Sequence, residues 1–187
     1  MLLPSSLQGP LGSHIGYLQH IALRNFLAYQ ALKNTHAALP LPSLATKYEE
    51  LRLFLNTVES VNNVLDYFYF ENELAILPKH STVSAFRKAV HAKFDELQVL
   101  ANLANAYKHC VRSGAKGAKN GKLPWAKDLQ RPALSVTIDI TDGVTPNVDV
   151  KYTFEWPIPE HDQALKSALD FWVQHLKASR ADELTNA

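Results

Sequence analysis

Cysteine is almost absent from this chain: Cys110 stands alone, so no internal disulfide can staple the fold and stability has to come from buried apolar surface. Long apolar runs are missing too. No stretch reaches the roughly 20 residues that a membrane helix needs. The opening MLLPSSLQGPLG has neither a positive flank nor an apolar core long enough for a signal peptide, so the expected setting is cytoplasmic, away from any membrane. There is no Gly-x-Gly-x-x-Gly after a strand, no phosphate-loop signature and no Gly-x-Ser-x-Gly elbow, which excludes nucleotide hydrolases of that kind and the usual serine hydrolases. The eight histidines form neither a Cys-His cluster nor a His-Glu-x-x-His spacing, so no metal and no cofactor are expected. What remains is a chain of 187 residues, 47 % hydrophobic and 20 % charged, the balance of an ordinary globular protein. Its size suits one domain that buries about 70 % of its unfolded surface.

Periodicity divides the chain. Residues 1–13 read as a mobile N-terminal segment, and 14–187 as a single domain. From His14 to about His36, the residues Ile15, Leu18, Ile21, Ala22, Phe26, Tyr29 and Leu32 recur at helical spacing, with Ser13 able to cap the start. Pro40 and Pro42 break the pattern. A second, long amphipathic helix follows, capped by Ser43 or Thr46, with Leu51, Phe54, Leu55, Val58, Val61, Leu65 and Phe68 in one stripe ending before Pro78. Tyr67, Phe68, Tyr69 and Phe70 crowd its close, and four consecutive aromatics call for either a wide buried face or a partner surface. A third helix, capped by Ser81, Thr82 or Ser84, is expected to run unbroken through Phe86, Val90, Phe94, Leu97, Leu100, Ala104 and Val111 to Gly114.

Residues 113–124, SGAKGAKNGKLP, read as an exposed basic loop. Beyond it the period changes to two. Leu134, Val136, Ile138 and Ile140, then Val148, Val150, Tyr152 and Phe154, alternate with polar residues and predict an antiparallel hairpin over 134–156. A last helix from about Glu160 to Ser179 carries Leu165, Ala168, Leu169, Trp172 and Leu176. The expected class is therefore mainly α with an α+β element: three to four helices and one hairpin before the last.

Net charge of +1 conceals a polarity. Residues 81–131 hold ten Lys or Arg against three acids, a local +7, which leaves −6 for the rest. On the third helix His91, Gln98, Asn102, Asn105, His109 and Arg112 fall on one side at 100° per residue. Asn105 and His109 are four apart, so the amide can fix the imidazole's tautomer, while Lys108 and Arg112 disfavour its protonated form. His109 is the candidate general acid or base, with Asn105 orienting it. Lys108, Arg112, Lys116, Lys119 and Lys122 are the candidate phosphate-holding cations. A plain solvated face is the competing account of the same residues.

The run Leu100-Ala-Asn-Leu-Ala-Asn-Ala-Tyr-Lys-His109, with a helix rich in aromatics before it and a basic loop, a hairpin and a Trp-bearing helix after it, resembles small bacterial and phage-associated proteins that carry an Asn-x-x-Lys-His helix. The likeness covers most of residues 50 to 180. Those proteins are similar to the HEPN superfamily, helical domains that often dimerise and include metal-independent ribonucleases of toxin and antiphage systems. The resemblance implies a helical bundle, RNA or another polyanion as partner, and a homodimer. It also implies an Arg ahead of the His, yet the permitted spacings fall on Ala104, Leu103 and Asn102; Arg87 and His91 are a near miss, with only three residues between them. Two functions follow: a nucleic-acid-binding or degenerate ribonuclease-like domain, or a non-catalytic interaction module that uses the same stripe.

Overall fold

The computed structural model describes residues 11–38, 43–108, 131–139, 147–155, 159–177 and 184–185. Ser13 opens the first helix by accepting a hydrogen bond from the Gly16 N–H at 2.9 Å, which satisfies one of the donors that every helix start leaves unpaired. α1 (His14–Tyr17) passes into a π-turn over Leu18–Ala22, where the Leu23 N–H reaches back five residues to the Leu18 carbonyl, and then into α2 (Leu23–Ala37). Ser43 caps α3 (Leu44–Glu71), accepting from the Thr46 N–H. At 28 residues α3 is about 42 Å long. Its buried Phe54, Val58, Val61, Val64, Leu65 and Phe68 recur every three or four residues, and α1, α2, α5, α6 and α7 all touch it.

A short α4 (Glu73–Ile76) continues from α3 and is pinned by the buried Ile76. α5 (Val83–Lys93) starts at Thr82, whose hydroxyl accepts from the Ala85 N–H. α6 (Asp95–Lys108) then begins afresh, because Phe94 is extended at φ −125°, ψ 99°. The single third helix expected from the periodicity is therefore two helices. Charge placement favours the break: Lys93 sits at the carbonyl end of α5, and Asp95 and Glu96 at the amide end of α6, each beside the helix pole it stabilises. Phe94 is held in the break by Phe171 of α7 (Pro159–Lys177), ring centroids 5.0 Å apart.

The class also needs correcting, from α+β to mainly α. Every buried residue described belongs to a helix, the π-turn or the C-terminal turn at Leu184, and the helices number seven rather than three or four among the described residues. Residues Arg131–Asp139 (β1) and Asn147–Glu155 (β2) pair antiparallel, with Arg131 opposite Glu155 and Val136 opposite Val150. Among the described residues these two strands form one two-stranded sheet, and their limits differ from 134–156. Among the described residues no helix is long and apolar enough to cross a membrane.

Buried polar contacts fix how the helices meet. Asp162, in the first turn of α7, accepts from the Tyr29 hydroxyl at 2.9 Å and pairs with Lys33 and Lys166 at 2.9 and 2.8 Å. Burial opposes ionisation of this carboxyl, but the hydrogen bonds from Lys166, Lys33 and Tyr29 outweigh it and hold its pKa below the usual range. His36 at the end of α2 lies 3.0 Å from Glu50 of α3, both side chains buried. Removing one partner strands the other in the core. His36→Ala should therefore cost about 3 kcal/mol of stability, and a His36→Leu, Glu50→Leu double variant clearly less, by urea unfolding. Equal losses in the two variants would contradict this account.

Candidate functional site

α6 presents two faces. Leu97, Leu100, Ala101, Leu103, Ala104 and Ala106 are buried, whereas Gln98 and Asn102 are half-buried and Asn105 is exposed. Gln98 Nε2 donates to Asn102 Oδ1 at 2.9 Å, an i to i+4 bond that ties down one turn of this polar side. Lys108 closes the described part of α6. Its side chain, like residues His109, Arg112, Lys116, Lys119 and Lys122, lies outside the described residues, so the expected Asn105–His109 pairing does too.

The positions that the HEPN motif's arginine would occupy are instructive. Leu103 and Ala104 are each 1 % exposed and belong to the core. A guanidinium at either position would have to be buried among apolar side chains, at a cost the fold could meet only with a paired anion. Asn102, the third permitted position, is on the polar face and carries no charge.

The break at Phe94 takes His91 out of the stripe. It lies on α5, one turn beyond Arg87, half-buried and well short of Gln98 on a different helix. Arg87 is committed elsewhere: its Nε is 3.1 Å from Asp66 Oδ1 and its Nη2 donates to the Asn62 carbonyl at 3.2 Å, both on α3. Burial first, and the Arg87 charge second, push the His91 imidazole down from 6.5 to about 4. At neutral pH it is therefore an uncharged ring beside a cation already paired. Nothing in local spacing announces Asp66 as the partner, since it lies 21 positions upstream on another helix.

No family model, curated protein or solved structure matches this chain.

A second polar cluster was also invisible to spacing. His14 donates through its backbone N–H and binds through Nδ1 to the same Glu71 oxygen, at 2.8 and 2.6 Å, so the first turn of α1 is anchored to the last turn of α3. Across 161 positions, His175 of α7 comes to 5.7 Å from the His14 ring, with Phe68 at 5.0 Å and Trp172 at 6.4 Å from it. Two imidazoles and a carboxylate are the ingredients of proton transfer or metal binding. Both rings are buried, however, and among the described residues no group of three or more His, Cys, Asp or Glu is placed to hold a metal. The cluster joins three helices.

The depressed His91 value has a consequence for stability. The unfolded chain takes up a proton at this ring near 6.5 while the folded one resists until about 4, so stability falls as pH drops through that window and levels off below it. Proton NMR should find the His91 ring titrating near pH 4. His91→Gln should flatten part of the loss of stability between about pH 7 and about pH 4.5, and an unchanged slope would show that the ring is not held neutral.

Proposed function

We propose that this protein is a HEPN-like domain that binds RNA or a similar polyanion without cleaving it, in a cytoplasmic setting and as a homodimer. The observation that carries the reading is the orientation of α6: Asn105 stands on the exposed side, while Leu103 and Ala104 are packed inside. The solvent side of α6 thus offers amides that can hydrogen-bond a ribose or phosphate, and in sequence it leads directly to His109 and the lysines at 116, 119 and 122. Cleavage of a phosphodiester needs a cation on the charge that develops in the transition state, and no residue on this face supplies one in the place where the family has it. Holding a polyanion asks for less: the +7 of residues 81–131 releases counterions on binding whatever the sequence bound.

A second reading has one observation in its favour. Val99 is 49 % exposed on α6, one turn before Asn102, and an apolar side chain there suits a face that packs against another protein. In that case the stripe is an interface and the lysines serve solubility.

The test is a fluorescence binding assay with a single-stranded RNA oligonucleotide, run beside a cleavage assay with chelator present throughout. Affinity should fall steeply from about 50 to about 200 mM salt, and Lys116→Ala, Lys119→Ala and Lys122→Ala together should lower the slope of log affinity against log salt by about 2. No cleavage is expected from the wild type, from His109→Ala or from Asn105→Ala. Absence of RNA association at low salt would leave the interaction module as the better account. Metal-independent cleavage that disappears with His109→Ala would make the protein an enzyme, since a general acid or base contributes roughly 10²- to 10⁴-fold to rate.

A further inference from the structure

We infer that the C-terminal turn at Leu184–Thr185 is a strap fastened over the turn between α4 and α5, one that opens and recloses while the helical bundle stays folded. Two observations place it. Leu184 is 1 % exposed and joins the hydrophobic core, and the Lys79 ammonium donates to the Thr185 carbonyl at 3.4 Å across 106 positions of sequence. Lys79 stands between Ile76, which ends α4, and Val83, which starts α5, so the strap's carbonyl is held at that turn.

The receiving side is built independently of the strap. Ile76 is fully buried, and its carbonyl accepts the N–H groups of both Lys79 and His80 at 2.9 Å. The turn is thereby wound back on the end of α4, with the Lys79 side chain on the exposed side. These bonds lie within the turn itself, so the seat keeps its shape when the strap leaves, and reclosing asks only that the strap find it.

The fastening is light beside that of the helices. α7 places Leu165, Ala168 and Trp172 wholly inside the core, whereas the described part of the strap buries Leu184 and leaves Thr185 half-exposed, with a long hydrogen bond to Lys79 that is open to water. A segment held by little buried apolar surface and by water-exposed hydrogen bonds opens at a fraction of the free energy of global unfolding. It is also tethered. Leu184 follows Lys177, the end of α7, by seven residues, a reach of at most about 25 Å, so a released strap stays at high local concentration and the closed state dominates. Opening exposes Leu184 and the core side chains that it covers. The strap therefore sets how much apolar surface this end of the bundle shows.

The test measures thiol labelling by a water-soluble aromatic disulfide on two full-length variants in a Cys110→Ser background: Leu184→Cys in the strap, and Val61→Cys at a wholly buried position of α3. The strap thiol should label roughly 100-fold faster than the α3 thiol, and still far more slowly than the same thiol in the urea-unfolded chain. Its rate should barely change in dilute urea, because an opening strap uncovers little surface, whereas labelling of the α3 thiol should climb with urea. Adding Lys79→Met should speed labelling of the strap thiol about threefold and leave the α3 thiol unaffected. Equal rates with a common urea dependence would overturn the inference, since Leu184 would then leave its seat only when the bundle unfolds. So would strap labelling as fast as in the unfolded chain, which would mean that there is no closed state, or a rate that Lys79→Met does not change.

Discussion

Five helices lean on α3, and they do so because its apolar surface is too wide for any one of them to cover. Val58, Val61, Val64 and Phe68 are wholly buried on a helix about 42 Å long, each contributing roughly 1.5 to 3 kcal/mol that is gained only if a neighbour covers it. α1 and α2 cover it from one direction, and α5, α6 and α7 from others. Phe68 shows how closely these demands converge: its ring meets His14 from α1, Phe86 from α5, and Trp172 and His175 from α7. The polar contacts among these helices then act as selectors. Asn25 to Ser60, Tyr29 to Asp162 and His36 to Glu50 each satisfy buried groups in one relative arrangement only, and a slipped helix would leave them unpaired.

What the sequence discloses about this architecture is what acts over three or four residues. Ser13, Ser43 and Thr82 are legible as caps because the hydroxyl and the amide it serves are three apart. The long stripe of α3 is legible for the same reason. The break at Phe94 is written in the sequence as well, as a basic helix end followed at once by two acids, but apolar spacing runs straight through it from Val90 to Leu97, and spacing alone reads one helix. Pairs such as His14 with Glu71 or Arg87 with Asp66 are beyond any local rule, since only the packing of α1 and α5 on α3 brings them within reach. The candidate site divides likewise: the polar side of α6 follows from period, whereas the burial of Ala104 depends on which neighbours α6 meets.

The two ends of the charge distribution have different physical lives. Lysines at 116, 119 and 122 carry charge whose field salt screens over about 10 Å, a force that does not depend on the shape of what it meets. Glu71 acts instead through contact, taking the His14 backbone N–H at 2.8 Å and meeting its Nδ1 at 2.6 Å.

The π-turn at Leu18–Ala22 makes the first helical run a matter of phase. One residue in an α-helix is about 100° of rotation, so widening a single turn lets the segment before it and the segment after it face the core at angles a regular helix would not permit together. His14 and Tyr17 engage Glu71 and Tyr67 near one end of α3, while Asn25 and His36 engage Ser60 and Glu50 further along it. Both ends are therefore indexed to the same helix. A deletion of one residue within 18–22 would restore regular winding and at the same time swing one set of contacts away from its partners, so the length of this segment is constrained even at its exposed Gln19 and His20.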